Sequence, residues 1–376
     1  MKTNQILNVS SAKRILRASI LSATYFLLGV ASAQNATDFA IFSSSTVTLE
    51  GMVRGDVYSG GDLDVGFAYG IQDTEFNMGN MFAFEDYTQE SLSAVNGSVF
   101  ANGNATLEGS ADILGDLTFG DFLIAGNSTD VFGITQQQAN TVTSIGVPFA
   151  SEFSAGTEDV ISNTSISLPP GAYRDLEMTG LFDQIDLTSG TYFFRRLDFQ
   201  TGTTVSLQIV NNEPINVFLE SDANFGSGLD FIVNGVEITT TSGDSVADLA
   251  NLVTFESHGS VTLEAGFLNH FFGTIFAPQG NVAADAQFMY GSIVSGGPVS
   301  ADVQLDHRPS FYLIGQPAPG AVLGDCNLDG VVSFLDINPF IGFLSTQTFF
   351  PEADCNEDGV VNFLDIAPFI GFLTAL

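Results

Sequence analysis

The sequence predicts a mainly β protein: an irregular right-handed parallel β-helix over residues 34–314, then a short linker over 315–323 and a small α-helical module over 324–376. Three observations lead there. Short alternating stretches such as Val47-Thr48-Leu49 and Thr204-Val205-Ser206-Leu207-Gln208-Ile209-Val210, bounded by Gly, Asn, Asp and Ser, run from about Thr37 to Leu313. That is strand and turn chemistry. A nine-residue pattern recurs within them, and after Gly315-Gln316-Pro317-Ala318-Pro319-Gly320-Ala321 the chemistry changes abruptly to a duplicated acidic segment.

The recurrence decides between β architectures. Gly55-Asp56-Val57-Tyr58-Ser59-Gly60-Gly61-Asp62-Leu63 returns as Gly97-Ser98-Val99-Phe100-Ala101-Asn102-Gly103-Asn104-Ala105 and as Gly291-Ser292-Ile293-Val294-Ser295-Gly296-Gly297-Pro298-Val299. A looser copy is Gly273-Thr274-Ile275-Phe276-Ala277-Pro278-Gln279-Gly280. Each copy has an inward β-branched residue, a turn with small residues, and a second short strand. Stacked coils that close their backbone hydrogen bonds against neighbours account for such copies. A β-sandwich with ordinary Gly turns is the alternative. Helical candidates in this region are short, near 90–95 and 245–252, and the Phe- and Met-rich insertion from Phe67 to Tyr87 is expected to form a cap or a side-packed loop.

At the amino end, Lys13, Arg14 and Arg17 precede an apolar run from Ile20 to Val30 and then Ala31-Ser32-Ala33. This reads as a secretory signal over residues 1–33, too short for a spanning helix of about 20 residues. An exported, secreted or surface location without membrane insertion is therefore expected. Without that leader, Arg54, Arg174, Arg195, Arg196 and Arg308 are the remaining permanent cations against 43 acids. Such a balance disfavours nucleic acid and anionic lipid and favours divalent cations.

The duplicated segment supplies the cation site. Asp325-Cys326-Asn327-Leu328-Asp329-Gly330-Val331-Val332-Ser333-Phe334-Leu335-Asp336 is matched by Asp354-Cys355-Asn356-Glu357-Asp358-Gly359-Val360-Val361-Asn362-Phe363-Leu364-Asp365. Oxygen side chains fall at loop positions one, three, five, nine and twelve, Gly at six permits the sharp turn, and a valine carbonyl falls at seven. The expected ligands of two calcium ions are Asp325, Asn327, Asp329, Val331, Ser333 and Asp336, and Asp354, Asn356, Asp358, Val360, Asn362 and Asp365. Calcium takes about 6–8 oxygen ligands, whereas magnesium retains water and demands tighter geometry. The apolar runs from Ile337 to Leu344 and from Ile366 to Leu373 should form short paired helices, with folding coupled to ion binding. Cys326 and Cys355, at position two of each loop, either bridge the loops or pack as small residues.

Other residues suggest catalysis only weakly. Arg195-Arg196 would suit a polysaccharide lyase, but neighbours on one strand point to opposite faces, and pairing with carboxylates is the expectation. His258, His270 and His307 form no motif, and Asp285, Asp302 and Asp306 are three acids among many. No phosphate loop, nucleophile elbow or zinc spacing occurs, so no reaction is assigned.

Two resemblances add to this reading. Asp38-Phe39-Ala40-Ile41-Phe42, Leu168-Pro169-Pro170-Gly171-Ala172-Tyr173, Ser189-Gly190-Thr191-Tyr192-Phe193-Phe194 and Gly273-Thr274-Ile275-Phe276-Ala277-Pro278 make the large region similar to exported bacterial proteins of the choice-of-anchor A type and to polymer-forming β-helical surface domains. Those families imply adhesion or surface structure. The segment from Gly324 to Leu376 resembles a type I dockerin, whose loops also end in Asp, and so implies a cohesin-like or other surface-protein partner. Where cohesin-binding dockerins carry Ser or Thr and then basic residues, this chain has Phe334-Leu335 and Phe363-Leu364, followed by Asn338-Pro339-Phe340 and Ala367-Pro368-Phe369. The pattern is closer to dockerin-like tails of planctomycete-type bacteria. The expected function is thus structural or adhesive, docked through a calcium-binding tail. The competing expectation is an extracellular carbohydrate-active β-helix acting on a polysaccharide. A third, an ice- or mineral-binding surface, would require a flat, regular face of Thr or Asp.

Overall fold

The computed structural model describes residues 35–66, 79–148, 150–151, 153–239, 245–266 and 269–308, and in the C-terminal segment residues 323–324, 326, 332, 337, 340–341, 344, 353, 355 and 361–374. The expected leader, residues 67–78 of the insertion and linker residues 315–322 lie outside these.

Short strands with a buried residue at each end and an outward residue between them, such as Val47–Leu49 and Val99–Ala101, form a parallel β-helix of the right-handed type with about 12 coils. Two of its three faces belong to a 24-stranded sheet, and the third is built from smaller parallel rows. Among the described pairings only Asp230–Val233 with Val236–Glu237 is antiparallel. That pattern excludes the sandwich, whose sheets are antiparallel. All four recurrent copies lie on one face, where Val57 aligns with Ile41, Ile41 with Ile293, Ile293 with Ile275, and Met81 with both Val57 and Val99.

The motif is legible in atoms. At the end of four first-face strands the chain turns on Ser43, Ser59, Ser257 or Ser295, each essentially buried. Their hydroxyls donate to turn carbonyls: Ser43 to Gly297 at 2.7 Å, Ser59 to Asp62 at 2.6 Å, Ser257 to Ser221 at 2.7 Å and Ser295 to Gly280 at 2.9 Å. These bonds satisfy groups that a corner would otherwise bury unpaired. Glycine follows because coils stack closely: a Cβ on Gly60 or Gly296 would collide with the carbonyl oxygen of Ser44 or Pro278. At the preceding corner a ladder runs along the axis. Asn80 N donates to Asp56 Oδ1 at 2.8 Å, Ser98 N to Asn80 Oδ1 at 2.9 Å, Asp116 N to Ser98 Oγ at 3.0 Å and Ile134 N to Asp116 Oδ1 at 2.7 Å. Its last three steps are each 18 residues, the coil length of this half. Coils of the other half are longer, as the 26-residue step from Asp198 to Asn224 shows, and their wider interior is filled by Phe199, Phe225, Phe231, Phe255 and Phe271, with neighbouring centroids 5.1–6.2 Å apart.

Stacking order departs from chain order. The first strand, Ile41–Ser43, sits in the middle of the stack, between Val57–Ser59 and Val282–Ser295. From there the chain builds outward to Thr135–Gln137. It then returns along the outside and resumes at the far end with Val160–Ser162 and Gly171–Ala172. From that tip it builds back through Gly190–Phe194, Ile215–Leu219, Val253–Ser257 and His270–Ala277 until it meets its own first coil. Coils spaced about 4.8 Å apart make the return journey roughly 50 Å. The chain from 138 to 159 has this distance to cover, and a chain of that length reaches only about 70 Å.

This returning segment covers the outward row of the first face. In stacking order that row reads Phe193, Phe218, Glu256, Phe276, Val294, Phe42, Tyr58, Phe82 and Phe100. Phe42 stacks on Tyr58 at 5.0 Å and Phe82 on Phe100 at 5.2 Å, and Val142, Ile145 and Val147 pack on this cluster. Side chains of the row and of its flanking turn pin the segment's backbone. The Asn102 amide bonds Val142 N and O at 2.8 and 2.7 Å, and the Tyr58 hydroxyl donates to Thr143 O and accepts from Ile145 N, both at 3.1 Å. Ser151 donates from N and Oγ to Glu256 at 2.5 and 2.8 Å.

Of the expected short helices, 245–252 appears as the 3-10 turn Ala247–Leu252. The stretch 90–95 is instead a turn, with Leu92 at φ 64°, followed by the strand Ala94–Val95. Its backbone joins the third-face row through Ile113, and that lateral pairing outweighs the local helical preference.

Candidate functional site

In the C-terminal segment, the run expected to form the second helix does so over Ile366–Thr374, and Ile337, Phe340, Ile341 and Leu344 of the first run are helical. The two repeats share one core of Cys326, Phe340, Ala353, Cys355, Val361 and Phe369, bordered by Ile337, Leu344, Ile366, Phe372 and Leu373. Its members come in matched pairs from equivalent positions of the repeats: Cys326 with Cys355, Phe340 with Phe369, Ile337 with Ile366, Leu344 with Leu373. Phe340 and Phe369 stack nearly parallel with centroids 4.0 Å apart. Both cysteines are buried in this core.

Of the twelve expected calcium ligands, Asn362 and Asp365 are described; Asp325, Asn327, Asp329, Val331, Ser333, Asp336, Asp354, Asn356, Asp358 and Val360 lie outside the described residues. Asn362 is extended, and its Oδ1 accepts from Leu364 N at 2.8 Å. Asp365 Oδ2 accepts from Asn362 N at 2.7 Å, a reciprocal cap that fixes the loop end to the helix start. The Asp365 side chain is fully buried. Residues 309–376 contain no Lys, Arg or His, so no basic side chain of the segment can neutralise it. Among the described residues no group of three His, Cys, Asp or Glu is arranged to hold a metal. Phe363 and Leu364, in place of the Ser or Thr of cohesin-binding dockerins, are 81% and 66% exposed.

On the solenoid, the arginines are bound to carboxylates. Arg174 bonds Asp159 through Nε at 2.6 Å and through a second, shorter contact, Arg195 bonds Asp175 at 2.8 and 2.5 Å, and Arg196 reaches Glu177. Their neighbour relation differs from a simple strand alternation: Arg195 precedes the strand Arg196–Phe199 at a corner, so both guanidinium groups converge on Asp175, Arg196 from 3.8 Å. The Arg195 guanidinium holds the Asp175 carboxyl below the usual carboxylate range. The three histidines do not assemble. His258 contacts Glu256 at 3.1 Å, His270 contacts Asp230 at 2.9 Å, and burial lowers the His307 imidazole. Asp285 and Asp302 are register neighbours, and burial followed by the Asp302 charge raises the Asp285 carboxyl. Asp306 is apart from them, 2.8 Å from Arg308.

The outward row of the second face runs Asp198, Asn224, Thr262, Ala283, Ser300, Thr48, Asp64, Thr88 and Thr106. It is polar but mixed, and lacks the uniform Thr or Asp composition expected of an ice or mineral template.

Among the described residues no helix is long and apolar enough to cross a membrane. No family model and no curated protein matches the chain. Among solved structures it is similar to an ice binding protein from an Antarctic bacterium, Flavobacteriaceae, at 12% identity and a TM-score of 0.26, over 73% of this chain and 97% of that one.

Proposed function

We propose that this chain is an exported structural or adhesive protein of the cell surface, whose β-helical body is attached through a dockerin-like tail loaded with two calcium ions. The duplicated twelve-residue register carries the reading: oxygen side chains at positions one, three, five, nine and twelve with Gly at six suit a hard cation, and Asp365, which closes the second register, is buried and caps Asn362 N at 2.7 Å. The pairing of Phe340 with Phe369 supports it, because two loops sharing one small core let binding at one order the other. The exposed Phe363 and Leu364 fit an apolar contact with a surface-protein partner better than the polar contacts a standard cohesin would make. The carbohydrate-active reading draws nothing from the arginines, which are committed to Asp159, Asp175 and Glu177.

The test is circular dichroism and limited proteolysis of the full chain with and without EGTA. Chelation should remove helical signal and open residues 324–376 to protease while the β signal stays. A tail equally protected in both conditions would refute calcium-dependent folding.

A further inference from the structure

Both tips of the solenoid end on open strand edges. At one, Leu123–Ala125, Asp130–Val131 and Thr135–Gln137 pair, among the described residues, with the preceding coil alone. At the other, Val160–Ser162, Ile166–Leu168 and Gly171–Ala172 pair with the following coil alone. We propose that these two tips join, so that a second copy of this chain stacks head to tail on the first and continues its β-helix across the contact.

Direction and face order suit this joint. The first half of the stack builds from the middle to the tip at 135–137, and the second half builds from the tip at 160–162 back to the middle, so the two edges face opposite ways along one axis. Each tip coil passes through the second, third and first faces in that order. The coil that ends at Gln137 in one copy therefore meets the coil that begins at Val160 in the next as any coil meets its successor, with parallel pairing on each face. Two like tips meet only with strands antiparallel and the face order reversed. Of the chain arriving at the second tip, Gly156 and Glu158 bond Tyr173 and Arg174, just past Gly171–Ala172.

Side chains match at the same register. The outward row of the second face begins with Ile161 and ends with Ile124, each 59% exposed, and every position between them is polar or small, from Glu177 and Asp198 to Thr88 and Thr106. Stacking sets Ile124 of one copy on Ile161 of the next. On the inner side of the same strands Leu123 and Val160 are half-buried, whereas their register equivalents in the coils between are buried. The joint sets these two on each other as well. On the first face Thr135 and Gly171 end one column, which places the preceding Ile134 and Pro170, both exposed, side by side. Apolar residues facing water along an unpaired edge mark a contact surface, and the match of one edge to the other within a single chain identifies the occupant as another copy. Because the joint is heterologous, each added copy leaves a fresh tip, and rows of copies form.

Sedimentation velocity of the full chain from about 1 to about 100 μM tests this. Species of two and more copies should grow with concentration and with salt, which screens repulsion between these acid-rich bodies. Ile124→Lys and Ile161→Lys, both at exposed positions, should each leave monomers while the β circular dichroism and melting transition hold. An equal mixture of the two variants should give dimers and nothing larger, because each retains the tip that the other has lost. The proposal is overturned if the unaltered chain stays monomeric throughout, if both variants assemble as the unaltered chain does, if one variant alone still forms dimers, which is the mark of like tips pairing, or if the mixture stays monomeric.

Discussion

Replacing Phe340 with Ala should weaken calcium binding although the residue ligates nothing. The side chain is 3% exposed and stacks on Phe369 at 4.0 Å in a core with few other large members. Truncating a buried Phe costs about 3–5 kcal/mol, of which the aromatic pair contributes about 1. A module this small has little stability to lose, so in a tail that folds as it binds the cost is subtracted from the binding free energy. Taking the low end, about 3 kcal/mol shared between two ions weakens each by about tenfold. Because the two rings stack on each other and are equally buried, Phe369→Ala should cost about as much as Phe340→Ala. Calorimetric calcium titrations of the full chain, with the β-helix melting transition as control, measure this. Unchanged affinity in both variants, or a loss in one alone, would refute the shared core and the coupling drawn from it.

Three further outcomes are expected. Asp336→Ala and Asp365→Ala should each abolish one calcium site, and calorimetry still finding two equivalent sites would contradict the ligand assignment. Asn102→Ala removes the amide that satisfies both backbone groups of the buried Val142, and should cost about 1–3 kcal/mol in denaturant unfolding and speed cleavage near residue 142. Asp175 is held below its ordinary range by Arg195, so its contribution is full above the unfolded carboxylate pKa and is lost as the pH falls through the lowered value. Arg195→Met should therefore lower the urea midpoint at pH 7 and leave it nearly unchanged at pH 2.

The solenoid was legible because its motif is local. A β-branched residue, a buried small residue and a glycine corner fall within one coil, so the copies at Val57, Val99, Ile275 and Ile293 could be aligned without knowing which strands pair. The stacking order was not legible, because parallel neighbours are joined by register across long chain separations: Ile41 pairs with Ile293. The 18-residue period through Gly79, Gly97, Gly115 and Gly133 was obscured by the insertion before Gly79 and by the weak apolar character of the copy at Gly133. A signal for the covering segment was present: Phe42, Tyr58, Phe82, Phe100 and Phe276 occupy the middle of their triplets, where alternation calls for a solvent-facing polar residue. Aromatic side chains there mean that something else shields them. The proposed calcium loops rest on sequence spacing, since a twelve-residue ring would fix its ligands by position, whereas the shared core depends on two helices meeting.

Entry at mid-stack decides where the chain joins and leaves the solenoid. Asn35 leads directly into the central coil, and the last body strand, Val299–His307, lies beside Val47–Leu49 and Val53–Arg54 of that same coil. Both leads therefore leave from the waist, and both tips are made of internal chain, around Thr135–Gln137 and around Val160–Ser162. A partner that grips the tail would carry the body amidships, with two unlike extremities pointing away from the point of attachment.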